Sequence, residues 1–269
     1  MENLANSIPI GPTGKLQNNI AMPYQFTIGG LIAESWQRVK GTKKTFWGAI
    51  LLCLAIYIAL SLLETLAIYL YAQYVNPNDT KIPFIITRVL DALITLPLSF
   101  GIILLAVYRS VNLPIKVKQI FEPYRFYWKI LAAMIILYAG AALIIAGTIY
   151  LWVFLPSHMI NMTQGWPHYY PILIGTLGSL IAFYFIYSLI NAPMLIIEKQ
   201  LGVFRSLKAS FFAFNQHGLK IIAAVFCMIV ICFISMITFG IGLIWTFPML
   251  YNFMGILYRI QFGVGEHSK

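Results

Sequence analysis

Long apolar stretches alternate with short polar segments along this chain. A helix needs roughly 20 residues to cross a hydrocarbon layer about 30 Å thick, so a run of 18 or more apolar residues indicates such a helix. Six stretches meet this requirement, at residues 46–72, 83–109, 129–155, 171–197, 218–239 and 243–263. Their apolar positions are continuous, whereas the strands of a membrane barrel alternate over about ten residues. The pattern predicts an all-α polytopic membrane protein with six transmembrane helices.

Composition and the start of the chain agree with this class of protein. Hydrophobic residues make up 60% of the sequence, charged residues make up 10%, and mean hydropathy is +0.82. A soluble domain carries more charge than this. Residues 1–26 are polar and show no charged segment before a short apolar run, so we expect no cleaved signal peptide. We predict a polar N-terminal tail at 1–26 and a single six-helix transmembrane domain at 27–269.

The basic residues are distributed unevenly between the two sides of the predicted helices. Of the 18 Lys and Arg residues, all except Lys81 and Arg88 lie before the first helix, between helices two and three, between helices four and five, or around the end of the sixth. Cytoplasmic segments of membrane proteins carry such an excess. We therefore expect both termini in the cytoplasm. The net charge of +10 follows from this bias, so the expected partner is a lipid bilayer and not nucleic acid.

A common unit recurs three times along the chain. Each copy has an amphipathic segment on the basic side, followed by two transmembrane helices, and the second of these carries a proline. The prolines are Pro97, Pro193 and Pro248, and the arginines that follow them after eleven or twelve residues are Arg109, Arg205 and Arg259. In the third amphipathic segment Phe204, Leu207, Phe211 and Phe214 recur at helical spacing. Such helices either lie in the headgroup plane or cap the end of the bundle.

Each proline should disturb the helix around it. Proline lacks the backbone donor and leaves the carbonyl four residues earlier without its helical hydrogen bond. In lipid that carbonyl needs another donor. We expect the side chains of Thr95, Asn191 and Thr246 to supply it, either directly or through water. The resulting kinks either shape the bundle or form a gate, and the sequence leaves both possibilities open.

Three charged residues lie within the first two predicted helices. Glu64 is in the first helix, and Arg88 and Asp91 are in the second. Ionisable groups inside a membrane are costly and usually pair with one another. The two helices form a hairpin that brings these residues to similar depths, so we predict a Glu64–Arg88 ion pair, with Asp91 bridging to the same arginine or hydrogen-bonded elsewhere. The cluster is either a structural clamp or part of a transport path.

Further polar residues follow one face of each even-numbered helix. They are Thr95 and Ser99 in the second helix, Tyr184, Ser188 and Asn191 in the fourth, and Tyr251 and Asn252 in the sixth. Polar groups in membrane helices face the interior of a bundle more often than lipid. We therefore predict that the even-numbered helices line the interior of the domain.

No motif in the chain carries recognisable catalytic or metal-binding chemistry. A Ser-His-Asp set, an HExxH helix and a phosphate-binding glycine loop are all absent from the sequence. The three cysteines, Cys53, Cys227 and Cys232, lie in predicted helices, where a free thiol behaves as a small apolar group. We therefore expect no catalytic residue, no metal site and no cofactor.

Several short motifs resemble a group of bacterial inner-membrane proteins. The motifs are SLKASF at 206–211, GIGL at 240–243, Pro248, LYR at 257–259, AESW at 33–36, and KK with FW at 43–47. Their arrangement is similar to that of the uncharacterised YciC-like families and of relatives of the glycerophosphodiesterase membrane domain. The resemblance implies a bacterial inner-membrane location and the helical arrangement described above, without an assigned reaction.

These observations favour one function over two others. The first hypothesis is a non-catalytic membrane protein that supports envelope or lipid homeostasis, or that assembles with another membrane protein or with itself. The second is a small transporter or channel that uses the polar faces of the even-numbered helices, and the third is an intramembrane enzyme. A water-wide cavity reaching Asp91 or Asn191 would favour transport, whereas a filled interior would favour the first hypothesis.

Overall fold

Every regular element in the described part of the chain is helical, as the sequence predicts. The computed structural model describes residues 24–75, 81–159, 170–237 and 240–264, with side chains for all of these except 154–159 and 170–171. The helices are α1 (Ile28–Gln37), α2 (Lys43–Tyr74), α3 (Lys81–Ser110), a 3₁₀ helix (Val117–Phe126), α4 (Tyr127–Met159), α5 (Tyr170–Leu189), α6 (Ala192–Lys199), α7 (Val203–Ile237) and α8 (Leu243–Phe262).

Five helical segments of the described chain are long and apolar enough to cross a membrane. By length and composition they are Lys43–Tyr74, Lys81–Ser110, Val117–Val153, Ile172–Lys199 and Val203–Ile237. They indicate a membrane protein. The sixth predicted span corresponds to α8, which has 20 residues but is not among the five. Its Asn252, Arg259 and Gln261 make it more polar, and they are tolerated because α8 is largely buried between other helices.

Two predicted spans differ from the observed helices by more than a few residues at their ends. The fourth, at 171–197, is divided into α5 and α6 by a break at Ile190 and Asn191. Pro193 therefore does not kink a helix as predicted. It lies in the first turn of α6, where a missing backbone donor costs nothing. The predicted amphipathic helix before the fifth span is continuous with that span in α7, apart from a non-helical backbone at His217.

Buried residues concentrate toward one end of the bundle. We call this end, which contains α1, the 3₁₀ helix, α6, residues 203–216 of α7 and the adjoining ends of the long helices, the packed end. In α2 only Phe46, Ala49 and Glu64 are buried, whereas α3 is buried almost continuously after Pro97. At the opposite end the helices expose large apolar side chains. A helix that is apolar on all sides suits a lipid environment.

Helices α3 and α8 form the centre of the packed end. A Cβ atom on Gly255 of α8 would lie 2.3 Å from the backbone carbonyl of Ala106 in α3, so only glycine permits this approach. Phe46 of α2 stacks on Tyr251 at a centroid distance of 5.8 Å. Two of the helices predicted to line the interior are also more buried than the helix beside them. In the 18-residue apolar stretch of each, 44% of the residues of α3 and 50% of those of α5–α6 are buried, against 11% for α2.

The folded domain begins before the predicted boundary at residue 27. Tyr24 and Phe26 are only 7% and 8% exposed and belong to the core formed by α1, α7 and α8. The Tyr24 hydroxyl donates to the Ala213 carbonyl at 2.8 Å, and burial raises the pKa of Tyr24 to about 12. The predicted tail therefore ends earlier than residue 24, because these aromatic rings gain more by packing than by remaining in water. Residues 1–23 lie outside the described part of the chain.

The carbonyl group freed by Pro248 has a partner other than the one predicted. The Ile244 carbonyl, freed by Pro248, accepts a hydrogen bond from Trp47 Nε1 of α2 at 3.1 Å. Thr246 instead donates to the Gly242 carbonyl at 3.2 Å, and Thr95 donates to the Asp91 carbonyl at 2.9 Å. Direct donation by the two threonines was wrong because a threonine in a helix reaches the carbonyl one turn before its own position, three or four residues earlier.

We predict that Gly255→Ala lowers the melting temperature of the protein in nanodiscs, because a methyl group would push α8 away from the α3 backbone at a cost of about 1–3 kcal/mol. Gly147→Ala is the matched control. It lies in α4 with nothing within 4 Å of its Cβ position, so it should leave the melting temperature unchanged or raise it. Equal effects of the two substitutions on tryptophan-monitored unfolding would contradict this packing.

Candidate functional site

The ion pair predicted between the first two membrane helices is present. Arg88 Nη2 of α3 lies 3.3 Å from Glu64 Oε2 of α2. Glu64 is buried, whereas the Arg88 side chain is 45% exposed and lies over the Phe84 ring at 5.3 Å. The pair therefore links α2 to α3 near the surface of the hairpin. Its carboxylate is buried, and its guanidinium is partly exposed.

Asp91 does not bridge to Arg88, which was one of the two predicted alternatives. Among the described residues no ion pair connects Asp91 with Arg88, and Asp91 Oδ1 is buried without a hydrogen-bond partner. Glu64 Oε1 is also buried without a partner. Buried carboxylate oxygens of this kind carry a free-energy cost unless water, a proton or a cation reaches them. The cluster of Glu64, Arg88 and Asp91 thus has two acidic groups and one basic group.

The predicted polar stripes line the interior only in part. Ser99 is exposed and donates to the Leu96 carbonyl of its own helix, so the stripe of α3 does not face inward throughout. Tyr184 is 42% exposed, and its hydroxyl donates to Asn215 Oδ1. An apolar neighbourhood outside the bundle tolerates such side chains because each has a local hydrogen-bond partner.

Four of the five remaining stripe residues lie inside the packed end, and the fifth, Thr95, is half-buried in α3 before Pro97. Ser188 is fully buried, and Asn191 Nδ2 donates to Gln261 Oε1 of α8 at 2.9 Å. Tyr251 stacks on Phe46, as described above. Asn252 is 1% exposed, yet neither its amide nitrogen nor its amide oxygen has a partner in the described chain. An unpaired buried amide of this kind is where an ordered water molecule is expected.

Two apolar hollows lie on the side of the bundle away from the packed end. The larger, about 410 Å³, is bordered by Thr148, Trp152 and Gly175 between α4 and α5. The smaller, about 370 Å³, is bordered by Ile68 and Lys81 between α2 and α3. Neither hollow is lined by Asp91 or Asn191. Both are open and almost entirely apolar, which suits acyl chains better than a water-soluble solute.

The densest group of charges lies elsewhere, at the packed end. Glu34 of α1 accepts from Arg38 Nε through Oε1 and from Arg259 Nη2 of α8 through Oε2, each at 2.8 Å. One carboxylate therefore joins the end of α1 to the end of α8. Side-chain exposures of 16–21% place these groups in a half-buried position, where ion pairs are stronger than at a fully exposed surface.

The same arginines hold the end of α3. Two residues after the last residue of this helix, Asn112 has a left-handed conformation (φ 61°), and the Leu113 amide donates to the Tyr108 carbonyl at 3.0 Å. This is the usual glycine or asparagine cap of a helix C-terminus. Arg38 Nη1 donates to the Arg109 carbonyl at 2.7 Å, and Arg259 Nη1 donates to the Ser110 carbonyl. Positive charge at a helix C-terminus is stabilising.

Three arginines thus meet around one carboxylate. Burial lowers the pKa of the Arg38 guanidinium, Glu34 opposes this shift, and the charges of Arg259 and Arg109 add to it. Arginine stays protonated at physiological pH despite such a shift. The cluster of Glu34, Arg38, Arg109 and Arg259, which we call the arginine cluster, therefore carries two more positive charges than negative ones.

A second polar group lies beside the arginine cluster. The Tyr258 hydroxyl of α8 donates to Glu198 Oε2 of α6 at 2.9 Å, and Lys199 Nζ lies 3.6 Å from the same oxygen. The Glu198 side chain is fully buried. These contacts satisfy a buried charge and attach α6 to α8, so we assign them a structural role.

Sequence reasoning did not identify the arginine cluster as a site. Arg109 and Arg259 were recognised only as repeat positions, and Glu34 only as part of a resemblance. The spacing of Glu34 and Arg38, four residues apart on one helix, was the available signal for a local pair. The contact of Glu34 with Arg259 joins residues 225 positions apart, which no local pattern reveals.

The described residues contain no group of three His, Cys, Asp or Glu side chains close enough to hold a metal ion. The charged groups of the site are instead arranged to tie helices together and to present excess positive charge. Arginine donors of this kind recognise carboxylate and phosphate groups.

We predict that Glu64→Gln and Arg88→Gln each lower the free energy of unfolding by about 1–3 kcal/mol, because each leaves the other member of the pair without its partner. Exchange of the two charges should recover part of this loss. Ser99→Ala, on the same helix and exposed, serves as the control and should have little effect. Unchanged thermal unfolding of Glu64→Gln in nanodiscs would show that the pair does not clamp the hairpin.

The chain has no match among known proteins in three comparisons. No protein-family model matches it, and no match is found among curated proteins or among solved structures. The resemblance to YciC-like families therefore stays a prediction from the sequence.

Proposed function

We propose that this protein is a non-catalytic, multi-pass protein of the bacterial inner membrane. In this proposal it supports envelope or lipid homeostasis, or it assembles with another membrane protein or a second copy of itself. The single observation that carries the proposal is the packed end, where the arginine cluster ties α1, α3 and α8 together.

The proposal includes six crossings of the membrane. Helix α7 starts at the packed end and is long enough to cross, and the tight turn at 240–242 leads from it into α8. The end of α8 lies back at the packed end, because Arg259 contacts Glu34 at 2.8 Å. Because the chain leaves this end in α7 and returns to it in α8, these two helices would make the fifth and sixth crossings.

The orientation follows from charge. Arg38, Arg109 and Arg259 lie together at the packed end, whereas Arg88 pairs with Glu64 nearer the opposite end. The bias of basic residues toward the cytoplasm places the packed end and both termini there. This orientation also places the exposed Phe204 and Arg205 of α7 at the inner headgroup layer. Aromatic and basic side chains are common at that depth.

The threefold repeat is part of the same proposal. Helix α1, the 3₁₀ helix and residues 203–216 of α7 each precede a pair of longer helical segments. Arg109 donates to the Lys40 carbonyl and Arg259 to the Ser110 carbonyl, so two of the repeat arginines act alike on a preceding backbone turn. Arg205 is exposed, and the middle unit departs from the pattern at this position.

A small transporter or channel is the second candidate. The observation that favours it is Asn252, a buried polar residue whose two amide atoms have no hydrogen-bond partner in the described chain. The resemblance to YciC-like and glycerophosphodiesterase membrane-domain families supports an inner-membrane location, and we propose no enzymatic activity.

Cysteine labelling tests the membrane arrangement. In a variant without Cys53, Cys227 and Cys232, we expect Arg205→Cys to react with a membrane-impermeant maleimide only after the cells are permeabilised, because it lies at the cytoplasmic end. Lys81→Cys should react in intact cells. The opposite result for the two positions would overturn the orientation, and labelling of both in intact cells would overturn the crossing number.

Purification into lipid nanodiscs followed by native mass spectrometry tests the function. A stoichiometric lipid, a second copy or a defined membrane protein retained on the chain supports the proposal. A retained water-soluble metabolite, together with uptake of that metabolite into proteoliposomes, would replace it with the transport candidate.

A further inference from the structure

One arginine of the arginine cluster has no carboxylate partner. Both oxygens of Glu34 are used, one by Arg38 and the other by Arg259. The same two arginines also donate to carbonyl groups at the end of α3, Arg38 to that of Arg109 and Arg259 to that of Ser110. The carbonyl groups that would otherwise balance a charge at this helix end are therefore partly occupied already.

Arg109 is the residue whose charge is uncompensated. Within the part of the chain that the structure describes, no carboxylate forms an ion pair with it, and the one hydrogen bond that its side chain makes runs from Nη2 to the Lys40 carbonyl at a long 3.3 Å. Its Nε atom is buried without any partner. The Arg109 side chain nevertheless keeps partial exposure, and Lys40 beside it is exposed.

We propose that Arg109, with Lys40 next to it, binds a phosphate group at the packed end. A phosphate oxygen accepts the forked hydrogen bonds of a guanidinium and supplies the negative charge that the cluster lacks. The group comes either from the headgroup of an anionic phospholipid or from free phosphate. This inference rests on the membrane location in the proposed function, but not on its orientation or its homeostatic role.

The alternative is that Arg109 is one more structural tie. The two roles predict opposite behaviour when the charge is removed. A structural tie stabilises the fold in any lipid, whereas a cation held near Arg38 and Arg259 destabilises it by repulsion until an anion binds. The effect of anionic lipid on stability therefore separates the roles.

The test compares thermal unfolding of the full-length protein in nanodiscs of phosphatidylcholine alone and with phosphatidylglycerol added. We expect phosphatidylglycerol to raise the wild-type melting temperature. Arg109→Gln should lose most of this increase, which corresponds to about a tenfold weaker affinity, or 1.4 kcal/mol. In phosphatidylcholine alone, Arg109→Gln should unfold at or above the wild-type temperature.

Arg205→Gln is the matched control, because it removes one cation from the corresponding position of the middle repeat, where the side chain is exposed and outside the cluster. It should keep most of the increase. A third arm adds inorganic phosphate to phosphatidylcholine nanodiscs at constant ionic strength. An increase with inorganic phosphate that Arg109→Gln abolishes identifies free phosphate as the source, and an increase with phosphatidylglycerol alone identifies a lipid.

Three results would overturn the inference. The first is that phosphatidylglycerol raises the melting temperature of Arg109→Gln as much as that of the wild type. The second is that Arg109→Gln melts at a lower temperature than the wild type in phosphatidylcholine alone. The third is that Arg205→Gln loses as much of the phosphatidylglycerol effect as Arg109→Gln does. The first two exclude a phosphate site at Arg109, and the third shows a general effect of surface charge. None of them alters the labelling pattern that tests the membrane arrangement, so the two failures are distinguishable.

Discussion

The fold of this protein depends on one carboxylate shared by two arginines. Glu34 connects α1 to α8 through Arg259, and Arg38, held by the same carboxylate, caps the end of α3. The long helices are apolar on most sides, so lipid supplies no strong force that would choose one arrangement of them over another. Polar contacts in the packed end, together with the close approach of Gly255 to Ala106, supply that choice.

Concentrating these contacts at one end has a consequence for the rest of the bundle. Away from the packed end, the helices touch mainly within hairpins, and the hollows between α4 and α5 and between α2 and α3 are lined by apolar side chains. The Glu64–Arg88 pair holds the α2–α3 hairpin closed in this region. A well-packed end and an opposite end with exposed apolar side chains suit a protein that associates with lipids or membrane partners better than one that encloses a solute.

The sequence predicts the helices well because lipid imposes a simple rule on them. A span must be long, apolar and helical, so its presence can be read from local composition. The Glu64–Arg88 pair was predictable because a hairpin brings equal depths together. The arginine cluster was not, since it joins α1 with the ends of α3 and α8 through tertiary packing. Pro193 was misplaced for a similar reason, because a proline in an apolar run fits a kinked helix or the start of a new one equally well.

A double-mutant cycle between Glu34 and Arg259 tests the central claim most directly. The free energy of unfolding in nanodiscs would be measured for the wild type, Glu34→Gln, Arg259→Gln and the double variant. A shared carboxylate in a half-buried position predicts a coupling energy of at least about 1 kcal/mol, with the double variant less destabilised than the sum of the single ones. Additive effects of the two substitutions would show that this contact does not hold the packed end together.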